Sequence, residues 1–197
     1  PLNMKVGINN TPSPDPEALR SRISDFLANN GFVETMNNSL TKSEYYSKLK
    51  TYPAEKLVML LNPLSHDLDC MRQTLILNAL EVVAYNLNRQ TTDLKIFEVG
   101  NVYSFVPKEG DNDPASNLKS YREEMRISIA ITGQGAKSWR NETGRGHYFA
   151  LKGYLELLLK RLGCNIYDLE TVPAPSDLFS EGLEYGLQSN QVAVLGV

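Results

Sequence analysis

Apolar residues recur along this chain with two different periods, and those periods define the elements it predicts. Leu19, Ile23, Phe26 and Leu27 stand at i, i+4, i+7 and i+8, one face of a helix. Asp15-Pro16 offers that helix a cap and a first-turn proline, and Gly31 offers a left-handed stop. Residues 32–40 read as extended, weakened by Asn37-Asn38. Thr41-Lys42-Ser43-Glu44 then has capping-box spacing for a short helix to about Leu49. Residues 57–61 form an apolar run between Pro53 and Asn62-Pro63 and read as a buried strand. Ile76, Leu80, Val83 and Leu87 mark a second helix reaching about Arg89, and residues 94–105 two strand pieces split around Gly100-Asn101.

The period then drops to two. Met125, Ile127, Ile129 and Ile131 alternate with Arg126, Ser128, Ala130 and Thr132, a half-buried strand. Leu151, Tyr154, Leu155, Leu158 and Leu162 return to helical spacing, closed by Gly163, and two or three short strands follow. The polar stretches 108–120 and 133–146, the latter carrying Trp139, are loops. Strands outnumber helices, and most connections are too short for parallel crossovers. The pattern predicts an α+β domain, an antiparallel or mixed sheet carrying helices.

Composition narrows the picture. Hydrophobic residues make up 42% of the 197 and charged residues 22%, ordinary for a globular chain. A net charge of −3 excludes a protein that holds nucleic acid by bulk positive charge, so any RNA contact would be local. The longest apolar run, residues 57–61, is far below the ~20 residues of a spanning helix. Cys70 and Cys164 have no CxxC partner and fit small buried hydrophobes better than a disulfide, and His66 and His147 are too few for a His-rich metal site. Cytoplasm is the expected compartment. Pro1 in place of an initiator Met, and strand character up to Val197, set the expectation of one domain, 1–197, truncated at both ends.

Candidate chemistry is thin. Ser65-His66-Asp67 contains the residue types of a hydrolase triad, but a triad needs the imidazole between the other two groups in space; a capping Ser or Asp fits better. Gly133-Gln134-Gly135 and Gly144-Arg145-Gly146 match neither a P-loop nor a dinucleotide fingerprint. Lys137, Arg140 and Arg145 surround Trp139 and could meet an RNA backbone, or form a solvated loop. Glu123-Glu124 and Asp111/Asp113 read as solvated surface rather than acid–base pairs. No nucleophile, metal cage or phosphate cradle emerges.

Linked motifs carry more. Asn62-Pro63-Leu64-Ser65 with Asp67-Leu68, then Met71-Arg72, then Asn86-Leu87-Asn88-Arg89, then Phe97-Glu98-Val99-Gly100-Asn101-Val102-Tyr103 resemble bacterial phenylalanyl-tRNA synthetase β subunits. Gly31-Phe32-Val33-Glu34 before Asn38-Ser39-Leu40 fits the same family, as does Phe149-Ala150-Leu151-Lys152-Gly153. The resemblance covers residues 31–153, more loosely to the end. It implies a degenerate copy of the class II aminoacyl-tRNA synthetase fold within an (αβ)2 enzyme. There the α subunit charges tRNA(Phe) using ATP and Mg2+, and the β core is not the site of adenylation.

Departures from the catalytic pattern agree with that implication. Class II enzymes carry an arginine after a G-x-x-F/Y strand, where its planar fork holds phosphate and carboxylate. Here Ser104 follows Gly100-Asn101-Val102-Tyr103. Residues 20–40 resemble the first signature motif but lack its proline, and the third would lie near or past Val197. Leu75-Ile76-Leu77-Asn78 stands where the β family has Leu-Leu-Pro-Gly. The editing site, the anticodon-binding domain and the acidic Mg2+ site of the β subunit would lie outside this segment.

The leading expectation is therefore a non-catalytic docking core with no catalytic residue, no metal ligand and no cofactor of its own. Its partners would be the α subunit, a second β subunit and, for the whole enzyme, tRNA(Phe). Leu19, Ile23, Phe26 and Leu27 are the candidate α-subunit interface, with an intramolecular core as the alternative for the same stripe. The rivals are a competent ATP-dependent adenylating domain and a tRNA-contacting module built on Lys137, Arg140 and Arg145.

Overall fold

A computed structural model describes residues 15–106, 120–133, 147–175 and 177–197. Helix α1 spans Pro16–Asn29, and the Asp15 carboxylate accepts the Glu17 and Ala18 amides at 3.0 and 3.3 Å. Gly31 closes it with φ +80, where a side chain would be strained. Strand β1 (Val33–Glu34) follows and pairs parallel with β5 (Lys95–Phe105), while β6 (Tyr121–Ile131) pairs antiparallel with β5. The sheet order is β1-β5-β6, so the sheet is mixed.

One core lies between this sheet and two helices. Ile23, Leu27 and Phe32 pack with Phe97 and Val99 of β5 and with Leu158 of α3 (His147–Arg161). Tyr154 of α3 meets Phe32 edge-on at 5.0 Å, and Ile129 and Ile131 close the cluster. Alternation along β6 is therefore half effective. Its later apolar residues reach the core, whereas Met125 is 44% exposed because α1 and α3 cover the other end of the sheet.

Strand β5 does not break at Gly100-Asn101 as the sequence suggested. Its register with β6 runs without interruption from Lys95↔Ile131 to Phe105↔Tyr121. Gly100 serves close approach instead of a turn, for a Cβ there would collide with Arg72 Nη2.

A second three-stranded sheet, ordered β2-β4-β3, joins Leu40–Thr41, Val58–Met59 and Cys70–Met71, all antiparallel. The expected strand over residues 57–61 shrinks to β3, with Leu57 buried and Leu61 exposed. The capping box does not form either. Lys42 occupies the cap position of a 3-10 turn, Ser43–Tyr46, and makes no side-chain cap bond. A distant group replaces the local one: the Asp69 carboxylate accepts the Ser43 amide and hydroxyl at 2.8 and 2.6 Å.

Helix α2, Ile76–Leu87, sits against β5 and β6. It buries Asn78, Ala79 and Val83, with Leu75 buried at its cap, while Leu80 and Leu87 of the expected stripe face outward. Leu75, at the cap of α2, lies beside Gly100, where a Cβ would stand 3.3 Å from its side chain. At the other end Gly163, with φ +91, stops α3. Strands β7 (Glu170–Pro173), β8 (Gly182–Leu187) and β9 (Asn190–Gly196) form an antiparallel meander, and α3 packs against both β6 and β9.

Asp177 ties this meander to the N-terminal half. Its carboxylate accepts the Lys50 amide, the Thr51 amide and the Thr51 hydroxyl at 2.7, 2.8 and 2.6 Å. These donors, the Thr51 hydroxyl foremost, hold Asp177 down at about 2. A folded pKa below the unfolded value near 3.9 stabilises the fold above that range, and the contribution disappears as pH falls through about 2. Asp177→Ala is expected to speed hydrogen exchange of the Lys50 and Thr51 amides at neutral pH and to leave Leu27 unaffected. Unchanged exchange at both amides would remove the tie.

Candidate functional site

The deepest polar cluster joins residues from three parts of the chain. Arg72 and Glu98 bury their side chains to 3% and 4% exposure and pair at 2.7 Å, Nη1 to Oε1. Arg72 Nε also donates to the Asn101 carbonyl at 3.0 Å, and Nη1 reaches the Asn38 carbonyl at 3.5 Å. Glu98 in turn accepts the Asn37 side-chain amide at 2.7 Å and its backbone N–H at 3.3 Å. Backbone bonds finish the knot: Arg72 N–H donates to Ser39 O and Tyr103 N–H to Arg72 O, at 2.9 and 2.8 Å.

The linked motifs thereby acquire a physical meaning. Met71-Arg72, Phe97-Glu98-Val99-Gly100-Asn101 and Asn37-Asn38-Ser39 meet around one guanidinium. A buried charge must be paired and hydrogen-bonded, and each neighbour here meets part of that demand. Asn37-Asn38 weakens the strand because the two residues serve this ion pair. Sequence reasoning missed that role; the signal available was two polar residues in a run otherwise suited to a strand.

Ser104 lies on the Glu98–Gly100–Val102 face of β5, and the register sets Arg122 of β6 directly opposite it. A cation thus stands at that level of the sheet, one strand away from where the synthetase pattern would place it. Below it, Arg126 pairs with Glu124 at 2.6 Å. Glu123 faces the other way and accepts the Asn101 side-chain amide at 2.6 Å. These carboxylates are exposed surface groups with ordinary partners.

Among the other singled-out residues, Ser65 is a cap. Its hydroxyl accepts the Asp67 amide at 3.1 Å, while Asp67 pairs with Lys42 at 3.0 Å. Cys70 is fully buried, and burial with the neighbouring Asp69 charge pushes its thiol up to about 12. Cys164 is half-buried and free. Among the described residues no group of three His, Cys, Asp or Glu side chains converges as metal ligands. Lys137, Arg140, Arg145 and Asp111/Asp113 lie outside the described residues, as do Trp139 and the second glycine cluster.

The α1 stripe divides. Ile23 and Leu27 are core residues of this chain, which realises the intramolecular alternative for both. Phe26 packs partly on the same core and lies 5.7 Å from the Arg161 guanidinium. Leu19 alone of the four is 39% exposed. A groove of about 680 Å3 opens elsewhere, between Tyr148-Phe149 and the Phe179–Gly182 turn. Its lining offers one carboxylate, Glu181, and no convergent set of polar groups.

Comparison with known proteins completes the description. A family profile described as "Phenylalanyl tRNA synthetase beta chain CLM domain" matches residues 4–197. The phenylalanine–tRNA ligase beta subunit of Bacteroides fragilis is 39% identical over 181 residues, 91% of this chain and 22% of that protein. The same subunit of Bacteroides thetaiotaomicron is 41% identical over 166 residues, 84% of this chain and 20% of its own length. The chain spans about a fifth of the curated relatives it matches. In three dimensions it is similar to a pyrrolysyl-tRNA synthetase of Desulfitobacterium hafniense, with TM-score 0.62 and 16% identity over 92% of this chain and 56% of that one. At that identity the likeness is one of fold alone.

Proposed function

This chain belongs to the phenylalanyl-tRNA synthetase β-chain CLM domain family, and from that membership we propose that it is the non-catalytic core of a phenylalanine–tRNA ligase β subunit. It is a degenerate version of the class II fold and supports the α subunit, which attaches phenylalanine to tRNA(Phe) with ATP and Mg2+ in an (αβ)2 assembly. The setting is the cytoplasm.

The observation that carries the reading is the allocation of charge on the β5–β6 sheet. Arg72, the one deeply buried guanidinium among the described residues, is held by Glu98 and two backbone carbonyls. Ser104 presents a hydroxyl where bidentate recognition needs a planar cation. Among the described residues no three carboxylate, His or Cys side chains converge. What the sheet and its helices supply is a rigid body with apolar surface left over.

Docking through α1 narrows to Leu19, with Phe26 at the border. Leu19→Asp is expected to lower recovery of the α subunit in co-purification while leaving the circular dichroism spectrum unchanged, because the side chain is exposed. Full recovery with the variant, against a wild type that does co-purify, assigns docking to another face. Phe26→Asp is the poorer probe, since its ring packs on the core and its loss also weakens the fold. The tRNA-contacting alternative, through Lys137, Arg140 and Arg145, would show as salt-dependent affinity that falls when the three are neutralised.

A further inference from the structure

We draw no further inference here: the strongest candidate, the outward stripe of Leu80, Ala84 and Leu87 along α2 beside the stacked Tyr85 and Arg89 side chains, is an unpartnered apolar face, and nothing in the structure shows what covers it.

Discussion

Arg72→Met is expected to destabilise the fold by about 3–5 kcal/mol, the usual cost of leaving a buried charge without its partner. Glu98 would keep its Asn37 bonds and lose its cation, at 4% side-chain exposure. The Asn38 and Asn101 carbonyls would also lose donors. Urea unfolding followed by circular dichroism measures the change. Removing both charges together, as Arg72→Met with Glu98→Leu, should cost less than Arg72→Met alone, because no isolated charge remains. A loss under about 1 kcal/mol for Arg72→Met would mean that the knot does not organise the three segments.

Leu27→Ala carries the second large effect. The side chain is fully buried among Ile23, Phe32, Phe97, Val99 and Leu158. Truncating a leucine at such a site typically costs about 2–5 kcal/mol, the spread reflecting how far the neighbours close in. Leu19→Ala, two turns earlier and facing outward, should stay within about 0.5 kcal/mol of wild type. The contrast separates core from free surface along one helix. Equal effects at the two positions would return the whole stripe to a single role.

These two variants also mark what the sequence could and could not convey. Helix α1 was legible because its apolar spacing, its Asp15 cap and its Gly31 stop are local signals that agree. The same holds for α3, and for the strand ending in Ile129 and Ile131. Orientation was less legible: α2 turns Leu80 outward and Asn78 inward as it packs on β5 and β6, a placement that spacing along one helix does not encode. The Thr41–Glu44 capping pattern failed for a related reason. Asp69, 26 residues from Ser43, outcompetes the local acceptor.

Gly100 departs from its sequence expectation for the opposite reason. A glycine flanked by Asn looks like a break, yet β5 runs straight through it and uses the missing Cβ to admit Arg72. The motif residues were recognisable by family resemblance before their physical role was. The convergence of Arg72, Glu98 and Asn101 on one buried cluster required the fold. The Arg122 position opposite Ser104 was likewise invisible, since cross-strand register is set by pairing.

Phenylalanine-dependent exchange of pyrophosphate into ATP, measured with this chain alone and again after adding the α subunit, bears most directly on the central claim. The chain alone should give only the buffer background, and exchange should rise once the α subunit is present. Saturable exchange by the chain alone, lost on Arg122→Ala, would contradict the account: it would place a working cationic clamp on β6 and make this domain an adenylating enzyme in its own right.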